Sequence, residues 1–321
     1  MGGDKQTNPV VLCILDGFGC ADDGAHNAVS IADTPNLDAL YERYPATQLA
    51  ASGAAVGLPA RHVGNGEIGH LTLGAGRVVD SELARIDRTI ADDKLSRVEM
   101  VDQTMRIALF DGCPLHLIGL LSGANGHASL DHLYALIDMA DFHEIPVFVH
   151  GVLDGRDAPP RSSLDYIEQL QRHAEGKNVT IATLSGRYYA MDRDGRWDRT
   201  YEAYHAIVRD KILGAPARRA QTPWDAVSEA LGRGLSDEFI EPVRLGDYQG
   251  VKGEFLCDFS ASEPLWEWTG EDVGIAFNYR SDGLRQLSQM LAAEDVPDEV
   301  AKDLLFDRDK PMRAFRQHCY M

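Results

Sequence analysis

A chain of 321 residues that is 44% hydrophobic and 25% charged has the composition of an ordinary soluble globular protein, long enough for about two domains, which excludes disordered and collagen-like architectures. Its 31 Lys plus Arg against 50 Asp plus Glu give a formal charge of −19, which disfavours general nucleic-acid binding because phosphate contacts need a basic face. A small anion held in a local arginine pocket stays compatible with that charge.

Short β-branched runs bounded by Gly, Asp or Pro alternate with amphipathic stretches of helical length, the pattern of βα units and a parallel sheet, so the fold class is α/β. Residues 10–15 read as a buried strand whose carboxyl end delivers Asp16 and the turn DGFG, the place where open α/β sheets put their ligands. Taken alone, Asp16 reads as a turn cap as readily as a ligand. Thr34-Pro35 opens a helix through Tyr44, with Thr as N-cap and Pro at the first helical position. Residues 47–52 read as a second strand, and a glycine-rich loop runs on to Gly69.

From about Arg77 a second series begins, with strands predicted at 115–121, 147–153 and 179–184 and helices near 129–142, 162–174 and 197–212. A helix near 226–233 and a strand at 273–278 complete this second α/β domain, and 294–310 has the acidic character of an exposed connector. The first region offers only two or three strands, too few for a stable sheet, so strands are expected to return after the second domain, although the chain ends at Met321.

The five cysteines, Cys13, Cys20, Cys113, Cys257 and Cys319, are odd in number and contain no CxxC pair, which suggests neither a disulfide framework nor a cysteine zinc site. Cys13 and Cys257 lie in apolar runs and read as core residues. The apolar run at 10–15 is too short to span a membrane, and no cationic region with a cleavage site precedes it, so a cytoplasmic protein without membrane association is expected. His70 sits on the helix after the glycine-rich loop, with a structural role at least as natural as a place in a site, and Trp266-Glu267-Trp268 is expected to pack a domain face.

Several segments together point further: ILDGFG, NAVSIADTPNLD, the loop GNGEIGH with GAGRVV after it, LDHLYALIDMA, VHGVLDGRDAPP, LSGRYYAMDRDGRWDR, SDEFIEP and FNYRSD. In this order they resemble the cofactor-independent (2,3-bisphosphoglycerate-independent) phosphoglycerate mutases of the alkaline phosphatase superfamily. The resemblance implies an incomplete phosphatase-like, parallel-sheet metal domain over 1–76, an inserted α/β substrate-binding (phosphotransferase) domain over 77–310, and the start of a truncated return to the first domain over 311–321.

It also implies two divalent metals, Mn2+ or Mg2+, and a serine that takes the phosphoryl group from one glycerate hydroxyl and returns it to another, with the metals lowering the serine's pKa and neutralising charge. The serine's place in the motif holds Gly66, which has no side-chain oxygen, so no phosphoenzyme can form there. A nest of backbone N–H groups at the helix start around Gly66 and Glu67 could still hold an anion weakly. Of the implied protein metal ligands only Asp16 is present, and one carboxylate cannot hold two metals.

By motif position His127, Arg156, Asp157, Arg187, Arg193 and Arg280 match residues that surround the glycerate and its phosphate in that family. Arginine forks suit carboxylate and phosphate, while an aspartate and a histidine orient hydroxyls or move a proton. Two departures stand out: Gly283 where the family has a further arginine, and Ser129 where it has a second histidine. The expected ligand is 3-phosphoglycerate, 2-phosphoglycerate or a similar phosphorylated acid.

Three readings stay open: an inactive mutase homologue, a non-catalytic binding or partner-assembling protein, and a fragment or engineered variant of an active mutase. The incomplete first domain calls for self-association or a complementary partner.

Overall fold

The computed structural model describes residues 9–15, 18–60, 62–64, 66–208, 217–251 and 272–292, and the backbone of 255–258, 265–268 and 317–320. Asp16 and the connector at 294–310 lie outside the described residues, as do the side chains of Cys257, Trp266 and Trp268. The chain divides into two units, Met1–Ser81 and Glu82–Met321.

The first unit is helical where it is regular. A four-residue helix, Ala28–Ile31, is capped by the Asn27 side chain, and Pro35–Arg43 starts with proline at its first position as expected. The Thr34 hydroxyl bonds the Asp38 carboxylate at 3.1 Å rather than capping the backbone. Gly66–Ala75 follows the glycine-rich loop, in which Gly64 has no room for a side chain, since a Cβ would lie 1.8 Å from the Ala51 carbonyl oxygen.

Neither strand expected here forms: residues 10–15 and 47–52 carry no ladder, and Val10, Val11 and Leu12 are 96%, 85% and 71% exposed. Apolar, β-branched composition supplies propensity, but a strand needs a hydrogen-bonded neighbour, and no described residue of the unit provides one. Cys13 is accordingly exposed and not a core residue.

The second unit is the α/β domain. Its strands are β1 (Leu115–Leu121), β2 (Val147–Leu153), β3 (Val179–Gly186), β4 (Arg218–Ala220), β5 (Val243–Leu245), β6 (Phe255–Asp258), β7 (Leu265–Trp268), β8 (Val273–Ala276) and β9 (Gln317–Tyr320). Seven of these form one sheet in the order β4-β5-β3-β2-β1-β8-β9, while β6 and β7 pair as a separate antiparallel ribbon. Only the β3/β5 pairing within the large sheet is antiparallel. The residues of β1 are buried throughout, as a strand covered on both faces requires.

The helices Leu130–Phe142 and Ser163–His173 make the crossovers from β1 to β2 and from β2 to β3. The first buries Leu133, Leu136, Ile137 and Ala140, the i, i+3, i+4 spacing of a core-facing stripe. Helix Trp197–Ile207 ends within the range expected to 212, and Pro223–Gly232 starts before the expected 226, behind a capping box between Thr222 and Asp225. Residues 317–320 pair in parallel with β8. Among the described residues no helix is long and apolar enough to cross a membrane.

This strand order positions the site. From β1 the chain steps to β2 and β3 on one side, while β8 lies on the other side of β1, so the order reverses at β1. The loops that leave the carboxyl ends of these strands lie at this reversal, the place where open α/β sheets accept ligands.

Candidate functional site

The loops after β1, β2 and β3 meet around Asp154, which directly follows β2 much as Asp16 was expected to follow a strand. Its carboxylate is buried and accepts from Ser122 Oγ at 2.6 Å, from the backbone N–H groups of Arg156, Asp157 and Ala158 at 3.0 to 3.1 Å, and from Arg187 Nη1 at 2.7 Å. Burial alone would raise the Asp154 pKa, but the Ser122, backbone and Arg187 hydrogen bonds together hold it below the usual carboxylate value. Asp154 thus folds the GRD turn and fixes the first arginine of the site.

Arg187, the residue after β3, is almost buried and serves three groups. Besides Asp154, Nη1 donates to Asp157 Oδ2 at 2.8 Å, and Nη2 lies 3.2 Å from His127 Nε2. A guanidinium only donates, so His127 accepts at Nε2 and its ring proton, in the neutral form, sits on Nδ1. Burial and the nearby charges of Arg187 and Arg280 lower the His127 pKa, against the opposing pull of Asp157 and Asp282. His127 Nδ1 is buried without a hydrogen-bond partner, 3.7 Å from Asp282 Oδ1.

The loops after β1 and β8 are tied directly. Ala128 and Asn278 form an isolated bridge, the Asn278 side chain accepts from Leu120 N at 3.0 Å, and Arg280 N donates to the His127 carbonyl at 3.2 Å. Arg280 and Arg193 then converge on one carboxylate. Asp282 Oδ2 accepts from Arg193 Nη1 at 2.7 Å and from Arg280 Nη2 at 3.1 Å.

The turn carrying Arg193 is fixed by buried Asp192, which accepts from the N–H groups of Asp194 and Arg196 and from Gln286 Nε2. Arg156 is more open, with only Glu238 at 3.7 Å, and Arg199 lies over the Tyr188 ring at 3.9 Å.

The cleft bounded by His127, Arg156, Arg187, Arg193, Glu238 and Gly283 therefore gathers His127, Arg156, Arg187 and Arg193, with Asp157 bonded to Arg187 and the Arg280 N–H to the His127 carbonyl. Such a set of guanidinium forks and one histidine donor can bind a small anion bidentately.

Sequence reasoning passed over Asp154, Asp192, Asp282 and Gln286. Asp154 carried a readable signal, an apolar strand ending in Asp-Gly, the same signal that singled out Asp16. At Gly283 a Cβ would lie 2.4 Å from Met191 Cε, so Met191 fills the space in which a side chain would begin. Ser129 is a buried N-cap in extended backbone whose hydroxyl makes no capping bond.

The expected metal site is a different matter. Gly66 opens its helix, and the His70 ring turns back onto the Gly66 carbonyl oxygen at 2.6 Å, a bond within the helix. Among the described residues no three His, Cys, Asp or Glu side chains gather in a way that could hold a metal ion. These residues do not fit a two-metal centre.

Comparison with known proteins bears on the same regions. Residues 86–316 match the family model described as the BPG-independent PGAM N-terminus. The chain is 43% identical over 282 residues to the 2,3-bisphosphoglycerate-independent phosphoglycerate mutase of Methanococcoides burtonii, covering 87% of this chain and 51% of that protein. Against the enzyme of the same name from Moorella thermoacetica it is 41% identical over 289 residues, or 89% of this chain and 53% of that one.

Among solved structures it resembles Leishmania mexicana phosphoglycerate mutase, determined at low cobalt concentration, with a TM-score of 0.73 and 27% identity over 95% of this chain and 53% of that one. The chain spans about half the length of the relatives it matches. With its α/β unit matched almost from end to end by the family model, the chain belongs to the 2,3-bisphosphoglycerate-independent phosphoglycerate mutase family.

Proposed function

We propose that the unit Glu82–Met321 binds a phosphorylated hydroxy acid of the 3-phosphoglycerate type, and that the chain as it stands does not interconvert 3-phosphoglycerate and 2-phosphoglycerate. The observation that carries the binding reading is the convergence of Arg187, Arg193 and Arg280 with His127 at the strand-order reversal. Those groups offer forks for carboxylate and phosphate together with a neutral donor, the complement of a phosphoglycerate.

The absence of turnover rests on Gly66, which cannot attack phosphorus or carry a phosphoryl group. The Mn2+ or Mg2+ pair implied by the family would need ligands beyond those described. Exposed Val10, Val11 and Leu12 support a related reading, that the first unit works only when a complementary segment covers it.

Calorimetric titration with 3-phosphoglycerate and 2-phosphoglycerate, beside an enolase-coupled assay with Mn2+, tests both parts. Binding in the millimolar range or tighter is expected, weakened roughly ten- to a hundredfold in Arg193→Ala, the effect of losing one charged hydrogen-bonding partner. No heat at millimolar ligand would overturn the binding reading, and metal-dependent turnover would overturn the claim of inactivity.

A further inference from the structure

The cleft is already electrically balanced without a ligand. Arg156, Arg187, Arg193, Arg199 and Arg280 stand among Asp154, Asp157, Asp192, Asp194, Glu238 and Asp282, so carboxylates outnumber guanidiniums by one. Two of these carboxylates have structural work: Asp154 folds the GRD turn, and Asp192 folds the turn bearing Arg193. Asp282 does not. No backbone N–H donates to its side chain among the described contacts, and its carboxylate lies between the two arginines of the outer cleft, with Arg193 at 2.7 Å and Arg280 at 3.1 Å.

We infer that Asp282 is an internal counter-ion that occupies the anion position of Arg193 and Arg280 and is exchanged for the ligand's anionic group, so that this residue sets the affinity and selectivity of the site. The inference rests on the anion-binding reading above and adds the residue that tunes it.

The geometry gives the exchange a direction. Asp282 serves its partners incompletely: Oδ1 is 3.0 Å from Arg280 Nε without hydrogen-bond alignment, and 3.7 Å from the unpartnered Nδ1 of His127. A phosphate has more oxygens than a carboxylate and no backbone tether, so it can meet Arg193, Arg280 and His127 together, recovering the donor that Asp282 leaves unused. The pair to be broken is partly open to water, with the Arg193 side chain 53% exposed and that of Asp282 31%. Such a pair is weaker than a buried one, so a phosphate that meets all three donors can displace Asp282. Selectivity follows, because a neutral or weakly anionic ligand gains too little from the arginines to displace the carboxylate.

The test is isothermal titration of the full chain with inorganic phosphate and with 3-phosphoglycerate at low salt. It compares the unaltered protein, Asp282→Asn, and Asp194→Asn, which removes a charge from the same cleft without an arginine partner.

Asp282→Asn is expected to bind both probes roughly tenfold more tightly, whereas Asp194→Asn changes affinity by no more than about twofold. A gain in affinity confined to Asp282→Asn supports the inference. If the unaltered chain binds and Asp282→Asn binds no better, the inference falls while the anion-binding reading stands. An equal gain in Asp194→Asn overturns it as well, because the effect is then the general field of the cleft. Silence in both the unaltered chain and Asp282→Asn overturns both readings. Should circular dichroism show Asp282→Asn unfolded, Asp282→Ser removes the same charge and carries the comparison.

Discussion

The buried histidines of β1 and β2 make the stability of the second unit sensitive to mild acid. His116 and His150 are 1% and 2% exposed and stack with ring centroids 5.1 Å apart. A single direction of donation satisfies the whole row. The Thr183 hydroxyl donates to His150 Nδ1 at 2.9 Å, His150 Nε2–H to His116 Nδ1 at 2.8 Å, and His116 Nε2–H to the Asp272 carboxylate at 3.3 Å. Both rings are neutral in this scheme, and a second proton on His116 would point at the His150 N–H.

Burial lowers the pKa of His116, with Asp272 opposing, while burial and then the charges of His116 and Arg244 push His150 well below its ordinary value. Buried Tyr248 also faces the pair, and its own pKa is raised by burial, so it gives no charge to offset a proton. Because the folded pKa values lie below the unfolded value of about 6.5, the unfolded chain binds more protons in the window between them, and stability falls as pH drops below that value.

At pH 5.5 a histidine that stays neutral in the fold costs on the order of 1 kcal/mol relative to neutral pH. Hydrogen exchange of amides in β1 and β2, measured at pH 7.5 and 5.5 and corrected for intrinsic rates, reads this loss locally. His150→Gln should remove part of it. A stability that does not change between these pH values, or one that falls equally in His150→Gln, would refute the reasoning.

Other expectations follow from single contacts. Asp154→Ala leaves Ser122, three backbone N–H groups and Arg187 without their shared acceptor, and denaturant titration should show a loss of about 3 kcal/mol or more together with lost phosphate binding. Gly66→Ser alone should yield no phosphoserine on incubation with 3-phosphoglycerate and Mn2+, since the described residues bring no metal-binding set to it; intact-mass detection of a phosphorylated chain would contradict this. Residues 10–15 should exchange their amide hydrogens near the intrinsic rate while β1 and β2 are strongly protected, because only the latter have ladder bonds; comparable protection in the isolated chain would show a covering contact that self-association provides.

The sequence was most legible where a strand is buried on both faces. Runs such as LHLIGLL and VFVHGVL are apolar, short and bounded by turn residues, and they fold as β1 and β2 within the expected limits. The same signal failed at 10–15 because composition reports what a strand would bury and not whether a neighbour exists to pair with it. The three-residue strands β4 and β5 show no periodicity that could be read, and their pairing is set by the sheet they join. Within the site, arginines were legible through their motifs. The carboxylates that hold them were not, because Asp154 and Asp282 take their meaning from partners 33 and 89 residues away in Arg187 and Arg193.

That division between inner and outer carboxylates decides which variants can speak about function. Arg187 belongs at once to the ligand cleft and to the buried Asp154 hub, so Arg187→Ala uncovers a buried charge and lowers stability whether or not the cleft binds anything. A loss of binding in that variant cannot separate a missing ligand contact from a disordered GRD turn. Arg193 and Asp282 lie on the solvent side, and the turn that carries Arg193 is held by Asp192 and Gln286 through bonds that do not involve the arginine itself. Substitution there changes the charge offered to a ligand while leaving the folding contacts of the cleft in place. One departure from the family pattern acts on the same outer side: Met191 fills the space beside Gly283, so the guanidinium implied there by the family has been replaced by packing rather than by a hole. With that charge absent, the balance at the mouth of the cleft rests on two arginines against Asp282, and neutralising one carboxylate there should shift affinity more than any change that leaves the charges alone.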